Sequence, residues 1–344
     1  MENELVMQKK NRVVANWLLV CCGLVFAMVV LGGVTRLTGS GLSMVEWRPI
    51  MGAIPPLSAE EWQEKFEIYQ LTPEFRKVNA GFDVSDFKSI FWLEYLHRLL
   101  GRLIGLVFAL PLLFFAVTGY IPRRHWPKYL GMLVLGGGQA LIGKIMVASG
   151  QVDAPQVSHY RLTAHLAAAF LVYAFMFWTA MSLIFPAARD AVKHTLYRKT
   201  VGIFALVSIM IISGGFVAGL KAGKIYNTFP KMGDEWLPQG ILALEPAWRN
   251  LFDNLVTVQF NHRWLAAFTF ASIVAYWFGA RKMSLPKRAR PAVNALLHTA
   301  FLQVILGISA LLLAVPVALG AAHQAVGMLL FTVMLYLTHA LRRV

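Results

Sequence analysis

The stretch EYLHRLLGR at 94–102 sets a glutamate, a histidine and two arginines at the head of LIGLVFALPLLFFAVTGY, a run without a single charge. Ionisable side chains at the edge of a lipid-embedded segment are costly, and they persist where they hold something in place. Glu94 lies three residues before His97, so both share one helical face. The same pattern recurs as QFNHR at 259–263, with Gln259 three residues before His262. Two further histidines, His165 in AHLAAAF and His323 in AHQAVGM, complete a set of four.

Neutral imidazole is a metal ligand, and one histidine from each of two facing helices is the arrangement that binds a heme iron on both faces. Zinc sites add cysteines or carboxylates in a tighter cluster. A single buried histidine is usually a hydrogen-bonded core residue, but four at one depth in two related pairs strain that explanation. Gly101, one turn after His97, leaves room for a flat ring. Arg98, Arg102 and Arg263 are candidate partners for heme propionates, with interfacial snorkelling as the plainer account of each. The carboxylate is present in one half only. Its plain explanation is an i,i+4 ion pair between Glu94 and Arg98; the chemical one is a role at the bound group, since Gln259 precedes Arg263 without such a pair.

The elements that must carry these residues are membrane helices. The 344 residues are 58% hydrophobic and 14% charged, with a mean hydropathy of +0.59. That composition excludes an ordinary soluble domain. A spanning helix needs about 20 apolar residues, and eight stretches qualify, at about 15–36, 90–119, 127–149, 160–185, 198–220, 253–280, 291–314 and 319–341. The four histidines fall near the outer ends of the even-numbered stretches. His159 is placed in a short outer loop, and His125 and His194 in loops on the opposite side. The first stretch lacks a small-x-small cleavage site, and the acids Glu2 and Glu4 argue against a transit peptide.

The net charge of +15 is an orientation signal, not a nucleic-acid footprint. Lys9, Lys10, Arg12, Arg123, Arg124, Lys128, Arg189, Lys193, Arg198, Lys199, Arg281, Lys282, Lys287, Arg288, Arg290, Arg342 and Arg343 fall on the side of both termini, which is expected to be cytoplasmic. Cys21 and Cys22 lie inside the first stretch, where they suit packing and cannot form a loop disulfide. In the long outer loop, 37–89, Ser58 and Glu61 form a capping-box pattern. Trp62, Phe66 and Tyr69 follow at helical spacing, which predicts an amphipathic helix on the outer membrane surface; a solvated connector is the alternative.

The chain also repeats. GGVTRLTGSG (32–41) resembles GGFVAGLKAG (214–223), EYLHR resembles QFNHR, GQALIG (138–143) resembles LQVILG (302–307), and AHLAAAF resembles AHQAVGM, in the same order. The expected fold is an all-α integral membrane protein of eight transmembrane helices, built as two pseudo-symmetric four-helix bundles in parallel repeat. Residues 1–190 form the first half and 191–344 the second.

EYLHRLLGR, NHRW, AHLAAAF and AHQAVG, with GGVTRLTGSGLSMVEW after the first stretch, resemble heme A synthase over about residues 14–341. The long first outer loop without cysteines is similar to the proteobacterial and mitochondrial branch, and departs from the branch with loop cysteine pairs. The resemblance implies oxidation of the C8 methyl of heme O to a formyl group through an alcohol, giving heme A for cytochrome c oxidase. It implies a resident heme b at His262 and His323, the substrate heme at His97 and His165, and an essential glutamate at Glu94. It further implies a bacterial inner membrane location, an electron acceptor that the sequence does not name, and partnership with heme O synthase, with cytochrome c oxidase assembly factors and with a second copy in a homo-oligomer. Two other readings stay open: a diheme b-type electron-transfer cytochrome, and a heme carrier or transporter.

Overall fold

The structure, a computed structural model, describes residues 2–47, 51–151, 155–186 and 193–342. Arg189 and Arg343, counted above among the cations, and the side chain of Glu2 lie outside the described residues. The helices are α1 (Glu2–Leu37), α2 (Ala59–Gln70), α3 (Pro73–Lys77), α4 (Val84–Val117), α5 (Trp126–Ala148), α6 (His159–Ile184), α7 (Tyr197–Leu220), α8 (Asn250–Asp253), α9 (Leu255–Arg281), α10 (Ala289–Leu312) and α11 (Val317–Leu341). Among the described residues there is no β-strand, only an isolated bridge between Met232 and Glu235.

Seven helices among the described residues are long and apolar enough to cross a membrane: α1, α4, α5, α6, α7, α10 and α11. The chain is a multi-pass membrane protein. Helix α9 has the length, 27 residues, but is not one of the seven; Gln259, Asn261, His262 and Arg263 crowd its second and third turns. His159, expected in a loop, is the first residue of α6, because Ser158 caps the helix by accepting from Arg161 N–H.

The helices touch in ring order. Helix α1 packs on α4, α4 on α5, α5 on α6, and α6 back on α1; α7 packs on α9, α9 on α10, α10 on α11, and α11 back on α7. The two rings meet where α1 packs on α11, α6 on α7 and α6 on α11. In lipid there is little hydrophobic force between helices, so close packing and polar contacts must hold such a seam. Gly215 lies against Thr163, Gly219 against His159 and Gly33 against Gln324. The Gln324 amide donates to Val29 C=O at 2.5 Å, and the Tyr173 and Thr332 hydroxyls hydrogen-bond at 2.8 Å. Cys21 and Cys22 are buried free thiols within the apolar core around Trp17, Phe108, Phe177 and Phe331.

Helix α4 explains the outer loop. Its 34 residues span about 51 Å at about 1.5 Å per residue, against a hydrocarbon core of about 30 Å. The surplus extends the helix beyond its apolar run at the N-terminal end, started by a complete capping box between Asp83 and Asp86. Helix α2 docks on this projection. Trp62, Phe66 and Tyr69 are buried against Phe87, Ile90, Phe91 and Tyr95, so the apolar face expected to meet lipid instead meets α4. The Ser58 cap forms, accepting from Glu61 N–H at 3.2 Å. Only half of the box closes, because the Glu61 carboxylate takes Leu57 N–H at 2.6 Å.

Candidate functional site

The four histidines occupy equivalent corners. His97 is on α4 and His165 on α6, which stand opposite each other in the first ring; His262 on α9 and His323 on α11 do so in the second. His97 and His165 are within electrostatic reach of one another, as are His262 and His323.

Each imidazole is seated on a glycine of the long helix that precedes its own in the sequence. A β-carbon at Gly32 of α1 would lie 3.1 Å from His97 Nε2, and one at Gly143 of α5 would lie 3.3 Å from His165 Cε1. A β-carbon at Gly214 of α7 would lie 3.4 Å from His262 Cε1, and one at Gly307 of α10 would lie 2.9 Å from His323 Cε1. These glycines serve close approach, leaving the imidazole the space a side chain would fill. Ser213 Oγ holds His262 Nδ1 at 3.1 Å, which leaves Nε2 as the other ring nitrogen for a metal. Gln303 meets His323 Nε2 at 3.3 Å. His165 Nδ1 and His323 Nδ1 are buried without a hydrogen-bond partner.

One orphaned ring nitrogen in each ring of helices, on His165 of α6 and on His323 of α11, and four imidazoles seated against glycines on two pairs of opposed helices make a donor set that fits a heme held between two histidines in each ring. Among the described residues no group of three or more His, Cys, Asp or Glu is placed to hold a bare metal ion.

Glu94 is 3% exposed and fully engaged. Oε1 accepts from Arg98 Nη2 at 2.5 Å. Oε2 accepts from Ser43 O–H at 2.7 Å and from Met44 N–H at 2.7 Å. The i,i+4 ion pair therefore exists, but it is one of three contacts. Arg98 also donates to Glu46 C=O at 2.9 Å and Met44 C=O at 2.7 Å, and lies 5.3 Å from the centre of the Trp47 ring. The segment Ser43–Trp47 is thereby stitched to the N-terminal half of α4. The second ring repeats the stitch without the carboxylate: Gln259 Nε2 donates to Tyr226 C=O at 3.1 Å, and Arg263 donates to Tyr226, Thr228 and Lys231 carbonyls. Arg98 and Arg263 thus grip carbonyls of the segments that precede α4 and α9. Arg102 sits one turn beyond Arg98, partly buried. Gly101 abuts the tip of Met28 on α1, so the room it leaves is used in helix packing.

The Cytochrome oxidase assembly protein family matches residues 15–335. The chain is 52% identical to Heme A synthase of Nitrosospira multiformis, over 96% of this chain and 94% of that one. The chain belongs to the heme A synthase family. It is also 45% identical to Heme A synthase COX15 of Arabidopsis thaliana, over 96% of this chain and 75% of that one, and 44% identical to Heme A synthase COX15 of Homo sapiens, over 97% and 84%. Within this heme A synthase family member, sequence reasoning overlooked the residues that hold the site residues. Ser43 and Met44 were visible only as part of a motif. Gly32, Gly143, Gly214 and Gly307 stood inside the repeated motifs GGV, GQALIG, GGF and LQVILG, whose recurrence was the available signal.

Proposed function

We propose that the chain is a membrane oxidoreductase that converts heme O to heme A for cytochrome c oxidase, oxidising the C8 methyl to a formyl group through an alcohol. His97 and His165 hold the substrate heme in the N-terminal half, residues 1–190. His262 and His323 hold a resident heme b in the C-terminal half, residues 191–344. The observation that carries the assignment of halves is the asymmetry at the outer ends of α4 and α9. Glu94 presents a buried carboxylate one turn from His97; Gln259 presents an amide at the matching place beside His262.

Iron porphyrin supplies the one-electron chemistry that amino-acid side chains lack. The protein supplies position. His97 and His165 fix the ring, and Ser43, Met44 and Arg98 fix Glu94. When heme O is bound, a carboxylate so held would accept the proton lost from the methyl as two electrons pass to the electron acceptor, or would form a C–O bond to the carbon after that loss. Arg102 remains a candidate propionate partner; for Arg98 and Arg263 that role means sharing guanidinium groups already bound to loop carbonyls.

The architecture completes the proposal. Helix α9 is the eighth span, and two four-helix bundles are related by a pseudo-two-fold axis along the membrane normal. The matching ring order of contacts and the equivalent seam contacts support it. The termini face the cytoplasm of a bacterial inner membrane, as the distribution of lysine and arginine indicates. Heme O synthase supplies the substrate, assembly factors of the oxidase receive the product, and an electron acceptor and a second copy of the chain are further partners.

The test is mass analysis of hemes extracted from membranes in which the chain is expressed with a heme O synthase. Appearance of heme A supports the synthase. Two tightly retained b hemes with unchanged heme O would indicate an electron-transfer cytochrome, and heme moved without change in mass a carrier.

A further inference from the structure

The two rings of helices differ at one seam. In the second, Phe270 of α9 and Phe301 of α10 meet with ring centres 6.3 Å apart and planes tilted by 42°. Phe270 packs on the buried core of that ring, while Phe301 is 57% exposed. The pair closes the flank between the two helices. The sequence repeat carries both positions into the first ring. Phe270 stands eight residues after His262, as Gly105 does after His97; Phe301 stands two before Gln303, as Gly137 does before Gln139. Both aromatic positions are therefore glycine in the first ring.

Nothing else fills the place. A β-carbon at Gly105 or Gly137 would meet no atom within 4 Å, nor would one at Gly136 or Gly138, and Gly105 and Gly137 are exposed. Closer to the connection between α4 and α5 the seam is shut, because Phe108, Leu112 and Phe115 share an apolar cluster with Tyr129, Met132 and Leu133. It opens at the glycines. Gly105 lies 12 residues before the end of α4 and Gly137 lies 11 after the start of α5. At about 1.5 Å per residue both stand about 17 Å from the joined ends, which is mid-depth in a hydrocarbon core of about 30 Å. Leu106, Val134 and Leu141 nearby are exposed, so the rim is apolar.

The seam also leads to the heme sites. Phe301 is two residues from Gln303, whose amide meets His323 Nε2 at 3.3 Å. Gln139 holds the same place in the first ring, one turn before the glycine that seats His165. The Oε1 atoms of both glutamines are buried without a hydrogen-bond partner. A buried acceptor left unpaired is costly, and such atoms mark the wall of a space that a bound group fills.

We propose that Gly105 and Gly137 line a lateral portal between α4 and α5, through which heme O passes from the bilayer into the first ring, and that the Phe270–Phe301 pair shuts the matching flank so that the second ring keeps its heme. This deepens the reading of the first half as the substrate half and rests on it. Heme O carries a long isoprenoid chain and partitions into lipid, so an apolar opening at mid-depth receives it without passage through water. A substrate must enter and its product must leave, whereas a resident cofactor must do neither. One glycine pair and one phenylalanine pair at equivalent positions meet these opposite needs.

The experiment measures heme transfer as well as conversion. Heme O is added to the purified full-length protein in phosphatidylcholine nanodiscs, and uptake is followed by the low-spin Soret change; loss of heme b to excess apomyoglobin is followed separately. The Gly105→Phe, Gly137→Phe double variant should lose the fast uptake of heme O and retain heme b, which reports that it folds. The Phe270→Ala, Phe301→Ala double variant should release heme b roughly two- to tenfold faster, the factor that an aromatic pair contributes. Uptake at the parent rate in the first variant, or heme b release at the parent rate in the second, would overturn the proposal, and the second variant decides if the first does not fold. If the glycine replacements block uptake but the parent forms no heme A, the synthase reading fails and the portal stands. If they leave heme A formation at the parent rate, the portal fails and the synthase reading stands.

Discussion

The glycine seats under the histidines allow a graded test of where the hemes are held. Replacing Gly307 with Ala puts a methyl group 2.9 Å from His323 Cε1 and 3.4 Å from its Nδ1. Carbon contacts settle at about 3.5–4.0 Å, so the ring must withdraw by about half an ångström or more. The neighbour here is a ring packed between helices, not the free end of a flexible chain. Overpacking of this kind costs about 1–3 kcal/mol, and each 1.4 kcal/mol is about tenfold in affinity. Heme at the C-terminal pair should therefore bind roughly 5- to 150-fold more weakly. Gly214→Ala brings its methyl only to 3.4 Å from His262, an ordinary contact, and Ala favours helix over Gly by about 1 kcal/mol; it should bind heme almost as the parent does. Gly279→Ala on α9 meets nothing within 4 Å and serves as the control. The assay is the reduced-minus-oxidised b-type spectrum per mole of purified protein, followed by titration with added heme. Equal affinity in Gly307→Ala and the parent, or a greater loss in Gly214→Ala, would show that His323 does not depend on this seat.

Three further outcomes follow from the same contacts. Ser43→Ala removes the hydroxyl on Glu94 Oε2 and leaves Arg98 and Met44 in place; a hydrogen bond to a charged group contributes about 1.5–3 kcal/mol, so heme A formation should fall by roughly one to two orders of magnitude with heme b retained, as read by pigment extraction at matched protein level. The Cys21→Ser, Cys22→Ala double variant should still make heme A, because no cysteine exists outside α1; loss of activity at normal protein level would reveal a thiol role. The docking of α2 and α3 on α4 should weaken with rising pH. Folding raises the Glu74 carboxyl from 4.5 to about 7, so between those values the folded state binds more protons than the unfolded one and stability falls as pH rises. Hydrogen exchange of residues 59–77 should be slower at pH 5 than at pH 8 after correction for intrinsic rates, and Glu74→Gln should flatten the difference; protection that grows with pH would contradict the linkage.

How far the sequence could be read depended on whether a signal was periodic or relational. The spanning helices were legible because twenty apolar residues in a row have few other fates. Their outer ends were less so: α4 begins at Val84, earlier than its apolar run, since Asp83 and Asp86 cap a helix that hydropathy alone does not report. Trp62, Phe66 and Tyr69 announced an apolar face, but not what it would cover, because Phe87, Ile90 and Phe91 form their own apolar patch only once α4 is extended outward. The histidines and Glu94 stood out through the comparison of the two halves. Their supports did not, because a glycine seat or a backbone N–H at Met44 has no side-chain chemistry to advertise it. The arginines illustrate the same limit. A guanidinium near a membrane surface reads as an anion partner, whereas Arg98 and Arg263 bind carbonyls whose positions depend on loop geometry.

The most direct measurement concerns Glu94. Membranes containing Glu94→Gln, expressed with a heme O synthase at matched protein level, should be extracted and their hemes weighed by mass spectrometry beside the parent protein. The substitution makes the outer end of α4 copy that of α9, where Gln259 stands beside His262. The protein should fold, retain heme b and bind heme O, yet yield little or no heme A. Heme A at close to the parent level would contradict the assignment and reduce Glu94 to an anchor for Arg98 and the Ser43–Trp47 segment.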